Sequence, residues 1–180
     1  MITDQEIFSA IHNLAGKSRL LDFFGIFFAE YLGYLLIASA VFLVWFSFSG
    51  WKKRFHYYSF LILAVILSRG ILTETIRVIY HRPRPFIAFG FEPLIDEVNQ
   101  GAFPSGHAAL FFALAGAIFL INKKMGQYFL VAAALMGAAR VFAGVHWPLD
   151  IVGGAAIGLL SVWAVKGLLQ NNGENQKTVL

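Results

Sequence analysis

From residue 18 onward, long apolar runs are broken at short intervals by basic or glycine-containing turns. Residues 31–49, 55–80, 105–121, 126–145 and 148–169 each read as a membrane-crossing helix by length and apolarity. Residues 18–30 are also apolar but short. A dozen residues rise only about 18 Å against a hydrocarbon core of about 30 Å, so this segment must tilt, extend at its ends or re-enter. Before it, Thr3-Asp4-Gln5-Glu6 has the form of a capping box, and Ile7, Phe8, Ile11 and Leu14 recur at helical spacing. That pattern predicts an amphipathic helix over 4–15, lying on the membrane surface and ended by Gly16. Residues 81–103 form the one long loop, rich in proline, glycine and acid, and residues 171–180 form a polar tail. The expected fold is all-α: a polytopic membrane helix bundle of about six transmembrane helices with an N-terminal amphipathic helix, in a single domain over 1–180.

Composition narrows the class. With 58% hydrophobic and 16% aromatic residues the chain is too apolar for a soluble domain. The absence of cysteine excludes disulfides and thiolate metal sites. The first six residues lack the basic region and apolar core of a cleavable signal peptide. A net charge of +4 does not point to nucleic acid, because the basic residues are dispersed among apolar segments rather than gathered in a stripe. Their placement reports topology instead. Lys52, Lys53 and Arg54, and then Lys123 and Lys124, occupy short loops that the positive-inside rule makes cytoplasmic. If six spans are counted, Lys17, Arg19, Lys166 and Lys177 fall on the same side, so that every lysine is inside.

The remaining cations, Arg69, Arg77, Arg82, Arg84 and Arg140, are all arginine and belong to the outer half. A cluster that opposes the topology rule needs another reason, and arginine suits planar, multidentate binding of an oxyanion. Three pieces converge on that face. One is Arg77-x6-Arg84-Pro85. A second is Pro104-Ser105-Gly106-His107, a helix start in which Ser105 caps, Gly106 admits a close ligand and His107 sits in the first turn. The third is Arg140-x5-His146-x3-Asp150, whose i to i+4 spacing puts a carboxylate within reach of one ring nitrogen while the other faces the site. Two histidines, one paired with aspartate, together with arginines and a helix N-terminus, suit attack of imidazole on phosphorus. One histidine attacks, the other protonates the leaving oxygen, and the cations hold the equatorial oxygens. No carboxylate cluster suited to Mg²⁺ accompanies them, so neither metal nor cofactor is expected.

In order and spacing these pieces resemble the three signatures of the type 2 phosphatidic acid phosphatase (PAP2) superfamily, which also includes vanadium haloperoxidases. The likeness covers about residues 60–165. The opening Ile7-Phe8-Ser9-Ala10-Ile11-His12 through Glu30-Tyr31 is further similar to the bacitracin-resistance type of undecaprenyl-diphosphate phosphatase. The resemblance implies His146 as a nucleophile that forms a phosphohistidine, Asp150 as its orienting partner and His107 as acid for the leaving group. Arg77, Arg84, Ser105, Gly106 and Arg140 would hold the phosphate. Two positions depart from the family pattern: Arg77 stands where lysine is usual, which keeps the cation, and Ala139 stands where serine often precedes the arginine, which removes a hydroxyl. Outside the signatures, Glu74 and Arg69 read either as a structural ion pair or, for Glu74, as the carboxylate behind Arg77 that sets its position. The loop residues Phe86, Phe89, Phe91, Glu92, Asp96 and Glu97 are expected to shape the entrance.

The resulting expectation is a metal-independent phosphatase of the cell (inner) membrane, active on the extracytoplasmic face, that releases inorganic phosphate from a polyprenyl diphosphate such as undecaprenyl diphosphate, with membrane lipids as its surroundings. One alternative keeps the chemistry and changes the lipid to phosphatidylglycerol phosphate or phosphatidic acid. An alternative of another class is a small anion transporter or channel; against it, no charged groups mark a path through the inner half.

Overall fold

The computed structural model describes residues 3–98 and 101–177, with side chains described to residue 169; residues 99–100 of the long loop and 178–180 of the tail lie outside the described residues. Among the described residues the fold is all-helical. The helices are α1 (Asp4–His12), α2 (Arg19–Ser47), α3 (Trp51–Ile79), α4 (Pro85–Phe89), α5 (Gly106–Ile121), α6 (Lys123–Phe142) and α7 (Pro148–Lys177). Helices α2, α3, α6 and the Pro148–Leu169 portion of α7 are long and apolar enough to cross a membrane, and α5 is a shorter apolar helix.

With the shorter α5 counted among them the crossing helices number five, close to the six or so that the apolar pattern suggests. Residues 18–30 and 31–49 are one helix, because no proline or glycine breaks the chain at Glu30-Tyr31. A wide, π-type turn at Phe27–Tyr31 carries the backbone through. An odd number of crossings moves the N-terminal segment to the other end of the bundle. Lys17 and Arg19 thus lie at the end that holds residues 79–106 and 142–148, whereas Lys52, Lys53, Arg54, Lys123 and Lys124 lie at the opposite end. Lys166 joins the latter, lining a cleft there with His56 and Ile121.

Other boundaries shift as well. Helix α1 closes at Asn13 rather than running to residue 15, with the Thr3–Glu6 capping box formed. Its apolar face packs on protein: Phe8 is fully buried and stacks with His12, Phe89 and Phe91. Residues 171–177, read as polar tail, continue α7. The long loop contains α4, started by Pro85 at its first position.

At the centre stands α5, buried along most of its length from Ala108 to Ile118, with His107 and Leu120 exposed at its two ends. Its alanines and glycines let neighbours approach closely. One such approach is to α7, where Gly154 and Gly158, one turn apart, face the α5 backbone. A Cβ on Gly154 would lie 2.4 Å from the Ser105 carbonyl oxygen, and one on Gly158 2.5 Å from that of Ala109. This small-residue seam draws the starts of α5 and α7 together, and the Ser105 N–H donates to the Asp150 carbonyl at 2.9 Å. Two of the three candidate motifs therefore touch through backbone, before any side chain is considered.

Candidate active site

Ser105 is the N-cap of α5, its backbone extended and its Oγ accepting from the Ala108 N–H at 3.5 Å. That bond uses an acceptor lone pair and leaves the hydroxyl proton free to donate. Gly106 begins the helix and His107 follows in its first turn.

Three buried guanidinium groups surround this helix start. Arg77 donates from Nε and Nη2 to the Pro104 carbonyl at 3.2 and 3.1 Å, which ties the first motif to the second. Arg84 donates from Nη1 to the Val145 carbonyl at 3.1 Å, which ties the first motif to the third. Arg140 donates from Nη1 to the Ala29 carbonyl at 3.3 Å, an acceptor inside the wide turn of α2. Burial lowers Arg84 to about 10, with the Asp150 carboxylate opposing the shift, so it remains protonated at neutral pH. The Arg140 Nε–H is buried with no hydrogen-bond partner among the described residues. An orphaned donor of this kind is costly in the free protein, and a tetrahedral oxyanion would satisfy it.

Carboxylates balance the cations. Glu97, from the long loop, bridges Arg140 and Arg84, the latter at 3.5 Å, and so sits between two of the groups assigned to phosphate. Glu74 pairs with both Arg69 and Arg77, the latter at 3.4 Å. The structure thus contains both readings of Glu74, an ion pair within the bundle and a contact to Arg77.

His146 lies in the connection between α6 and α7, almost wholly buried. Its Nδ1 is 3.4 Å from Asp150 Oδ2, so Nε2 is the ring atom left for chemistry. Burial lowers its pKa well below the ordinary value, and the positive charge of Arg140 and Arg84 adds to the effect. The neutral imidazole is the nucleophilic form. Asp150 is held more firmly by others than by the histidine: it accepts from the Trp147 N–H at 2.8 Å and from Arg82 Nη1 at 2.9 Å. Arg82 in turn donates from Nη2 to Asp4 Oδ2 at 2.5 Å, and Asp4 Oδ1 accepts from the Leu149 N–H at 2.9 Å.

All eight residues singled out for catalysis and phosphate binding, together with Glu74, lie at this one end of the bundle. Sequence reasoning gave Glu97 only a place at the entrance and Asp4 only a place in a capping box, and missed their ion pairs and the contact of Arg82 with Asp150. Arg82 had a signal, an extra arginine in the proline-stiffened run 81–85. Asp4 and Glu97 had none, since their partners lie 78 and 43 positions away along the chain. Ala139 packs in an apolar cluster with Ala29, Ile95 and Ala143, so its missing hydroxyl leaves no polar gap.

Space adjoins His107 within the bundle. A cavity of about 190 Å³ is lined by His107, Glu30 and Tyr34 together with the apolar Ile37, Leu110 and Met136. It shares Ile37 and Leu110 with a groove of about 280 Å³ lined further by Tyr58, Ile62, Ile66 and Leu114. His107, Leu110 and Leu114 form one stripe of α5, and α2 and α3 form the walls.

A family model described as the PAP2 superfamily matches residues 57–174. The chain is 30% identical over 159 residues to "Undecaprenyl-diphosphatase BcrC" of Bacillus subtilis (strain 168), covering 86% of this chain and 78% of that protein. Its fold is similar to the crystal structure of Aquifex aeolicus LpxE, with TM-score 0.74 and 32% identity over 91% of this chain and 94% of that one. It is also similar to a transmembrane PAP2 type phosphatidylglycerolphosphate phosphatase from Bacillus subtilis, with TM-score 0.61 and 26% identity over 93% and 86% of the two chains.

Proposed function

The chain belongs to the PAP2 superfamily and is a multi-pass membrane phosphatase, and from that premise we propose that it releases inorganic phosphate from a polyprenyl diphosphate, undecaprenyl diphosphate in particular, at the extracytoplasmic face. The observation that carries this reading is a cavity lined by His107 that shares Ile37 and Leu110 with an apolar groove, so that hydrocarbon space adjoins the end of the bundle where the buried arginines gather. One end of such a substrate is a compact polyanion and the other a single hydrocarbon chain. The 30% identity to the Bacillus subtilis diphosphatase supports the same lipid class.

In the proposed mechanism the terminal phosphate seats against Arg77, Arg84 and Arg140, the Ser105 hydroxyl and the N–H groups that open α5. His146 Nε2 attacks phosphorus in line with the anhydride oxygen; a P–N bond forms, the P–O bond breaks, and His107 gives its proton to the departing oxygen. Water then attacks the phosphohistidine, His107 takes a proton from it, and phosphate leaves. The arginines stabilise the charge on the equatorial oxygens in both transition states. Outside the arginine cluster of the site, the short connections at the opposite end hold Lys52, Lys53, Arg54, Lys123 and Lys124 against Lys17 and Arg19 at the site end, a bias that supports an extracytoplasmic active site under the positive-inside rule.

A phosphatidylglycerol phosphate substrate is the second reading, favoured by the likeness to the phosphatidylglycerolphosphate phosphatase fold. Phosphate release by the purified protein from polyprenyl diphosphate, phosphatidylglycerol phosphate and phosphatidic acid separates the two. Preference for the polyprenyl diphosphate is expected; turnover of the diacyl lipids alone would replace the first reading with the second.

A further inference from the structure

Arg69 belongs to none of the three motifs, yet its side chain lies on the helix start that they share. It projects from a second wide turn, Ile66–Leu72 in α3, over Gly106. A Cβ on Gly106 would meet Arg69 Nε at 2.4 Å, Cδ at 2.8 Å and Cζ at 2.9 Å, so the guanidinium lies directly against the glycine and a side chain there would displace it. Arg69 and Arg77 pair with the same Glu74 oxygen, which makes Arg69 the next cation outward from the phosphate cluster. The accessibilities differ in the same direction: the side chains of Arg77, Arg84 and Arg140 are 8%, 2% and 3% exposed, that of Arg69 36%.

The site therefore has a buried group of cations beside His146 and one open cation beside His107. When a diphosphate reacts, its terminal phosphate moves to His146 while the other phosphate, still joined to the lipid, leaves with the proton from His107. That leaving group carries the anionic charge left by cleavage of the anhydride. A monophosphate ester has no second phosphate and makes no use of a cation at that place.

We propose that Arg69 is the seat for the lipid-side phosphate of a diphosphate substrate, and that it sets the preference for diphosphates over monophosphates of the same lipid. This rests on the reading of the site as a lipid diphosphatase and extends it to a residue outside the family motifs. Glu74 is the resident counter-ion of Arg69 in the free protein and yields to the substrate.

The test uses the full-length protein in detergent with geranylgeranyl diphosphate and geranylgeranyl monophosphate, whose common chain cancels the lipid contribution. The ratio of kcat/KM for diphosphate over monophosphate is measured for wild type, Arg69→Gln and Arg69→Lys. Loss of one charge-assisted contact predicts a fall in that ratio of about tenfold to a hundredfold in Arg69→Gln. Arg69→Lys, which keeps the charge and the pairing with Glu74, is expected to fall between. An unchanged ratio in both variants, with or without an equal loss on the two substrates, would make Arg69 a structural partner of Glu74 and overturn the proposal. Failure of the wild-type protein to hydrolyse the diphosphate would instead overturn the diphosphatase reading beneath it.

Discussion

Arg82 Nη1 donates to Asp150 Oδ1 at 2.9 Å, a shorter contact than the 3.4 Å between Asp150 and the Nδ1 of His146. The carboxylate assigned to orient the nucleophile is thus itself oriented by an arginine of the long loop, which is anchored in turn by Asp4 of the N-terminal helix. Arg82 also lies over the Trp147 ring, 5.1 Å from its centroid, and the Trp147 indole N–H donates to the Pro83 carbonyl at 2.9 Å.

Arg82 should accordingly behave as a positioning residue. In Arg82→Gln, kcat is expected to fall by about ten- to a hundredfold with KM little changed, the scale on which a displaced catalytic group loses rate. Arg82→Lys should recover part of the loss, and Asp4→Asn should reproduce it more weakly. Steady-state kinetics on one lipid substrate decide this; a rise in KM with kcat intact would place Arg82 on the substrate instead.

The two histidines should fail differently. His146→Ala is expected to form no phosphoenzyme with any substrate. His107→Ala should still form some with p-nitrophenyl phosphate, whose leaving group needs little protonation, while lipid turnover drops by about 10² to 10⁴. Acid-labile label trapped on His146→Ala, or equal losses on both substrates for His107→Ala, would mean that the roles are reversed or the mechanism wrong.

His146 also predicts the acid limb of the pH profile. The neutral ring attacks, and burial among arginines lowers its pKa, so protonation that stops the reaction sets in only below the usual histidine value of about 6.5. With the ionisation of p-nitrophenyl phosphate allowed for, kcat/KM should hold as pH falls through 6.5 and decline at lower pH. A midpoint at or above 6.5 would contradict a buried, neutral nucleophile.

Gly154→Val tests the seam that joins the motifs. Its side chain would run into the Ser105 carbonyl and the Ala108 side chain, so a loss of about 1–3 kcal/mol is expected from overpacking, seen as a lower melting temperature in detergent together with reduced kcat. Gly167→Ala, at a position with open space around it, serves as the control. Equal stability of the two variants would mean that α5 and α7 do not need this close approach.

Topology distinguishes five crossings from six. In a chain without native cysteine, cysteines introduced at Lys17 and Glu92 should react with an impermeant thiol reagent in intact cells, and cysteines at Lys53 and Lys123 should not. Labelling at Lys53 with protection at Glu92 would place the active site in the cytoplasm.

What the chain determined by itself was local or periodic. Apolar runs announce helices that must be buried in lipid or in one another, and motif spacings such as His146 to Asp150 are legible because four residues make about one helical turn. The order of three such motifs was enough to identify the family. The number of crossings was not legible, since a wide turn at Phe27–Tyr31 leaves no mark in composition that separates it from a helix end. Only the tertiary structure decided that Asp4 reaches Arg82, that Glu97 lies between Arg84 and Arg140, and that Arg69 rests on Gly106. Those contacts join residues far apart in the chain, and their geometry follows from how closely α5 and α7 pack and how the long loop folds over them. No local periodicity encodes such a distance; it emerges when the buried faces of the helices are brought together.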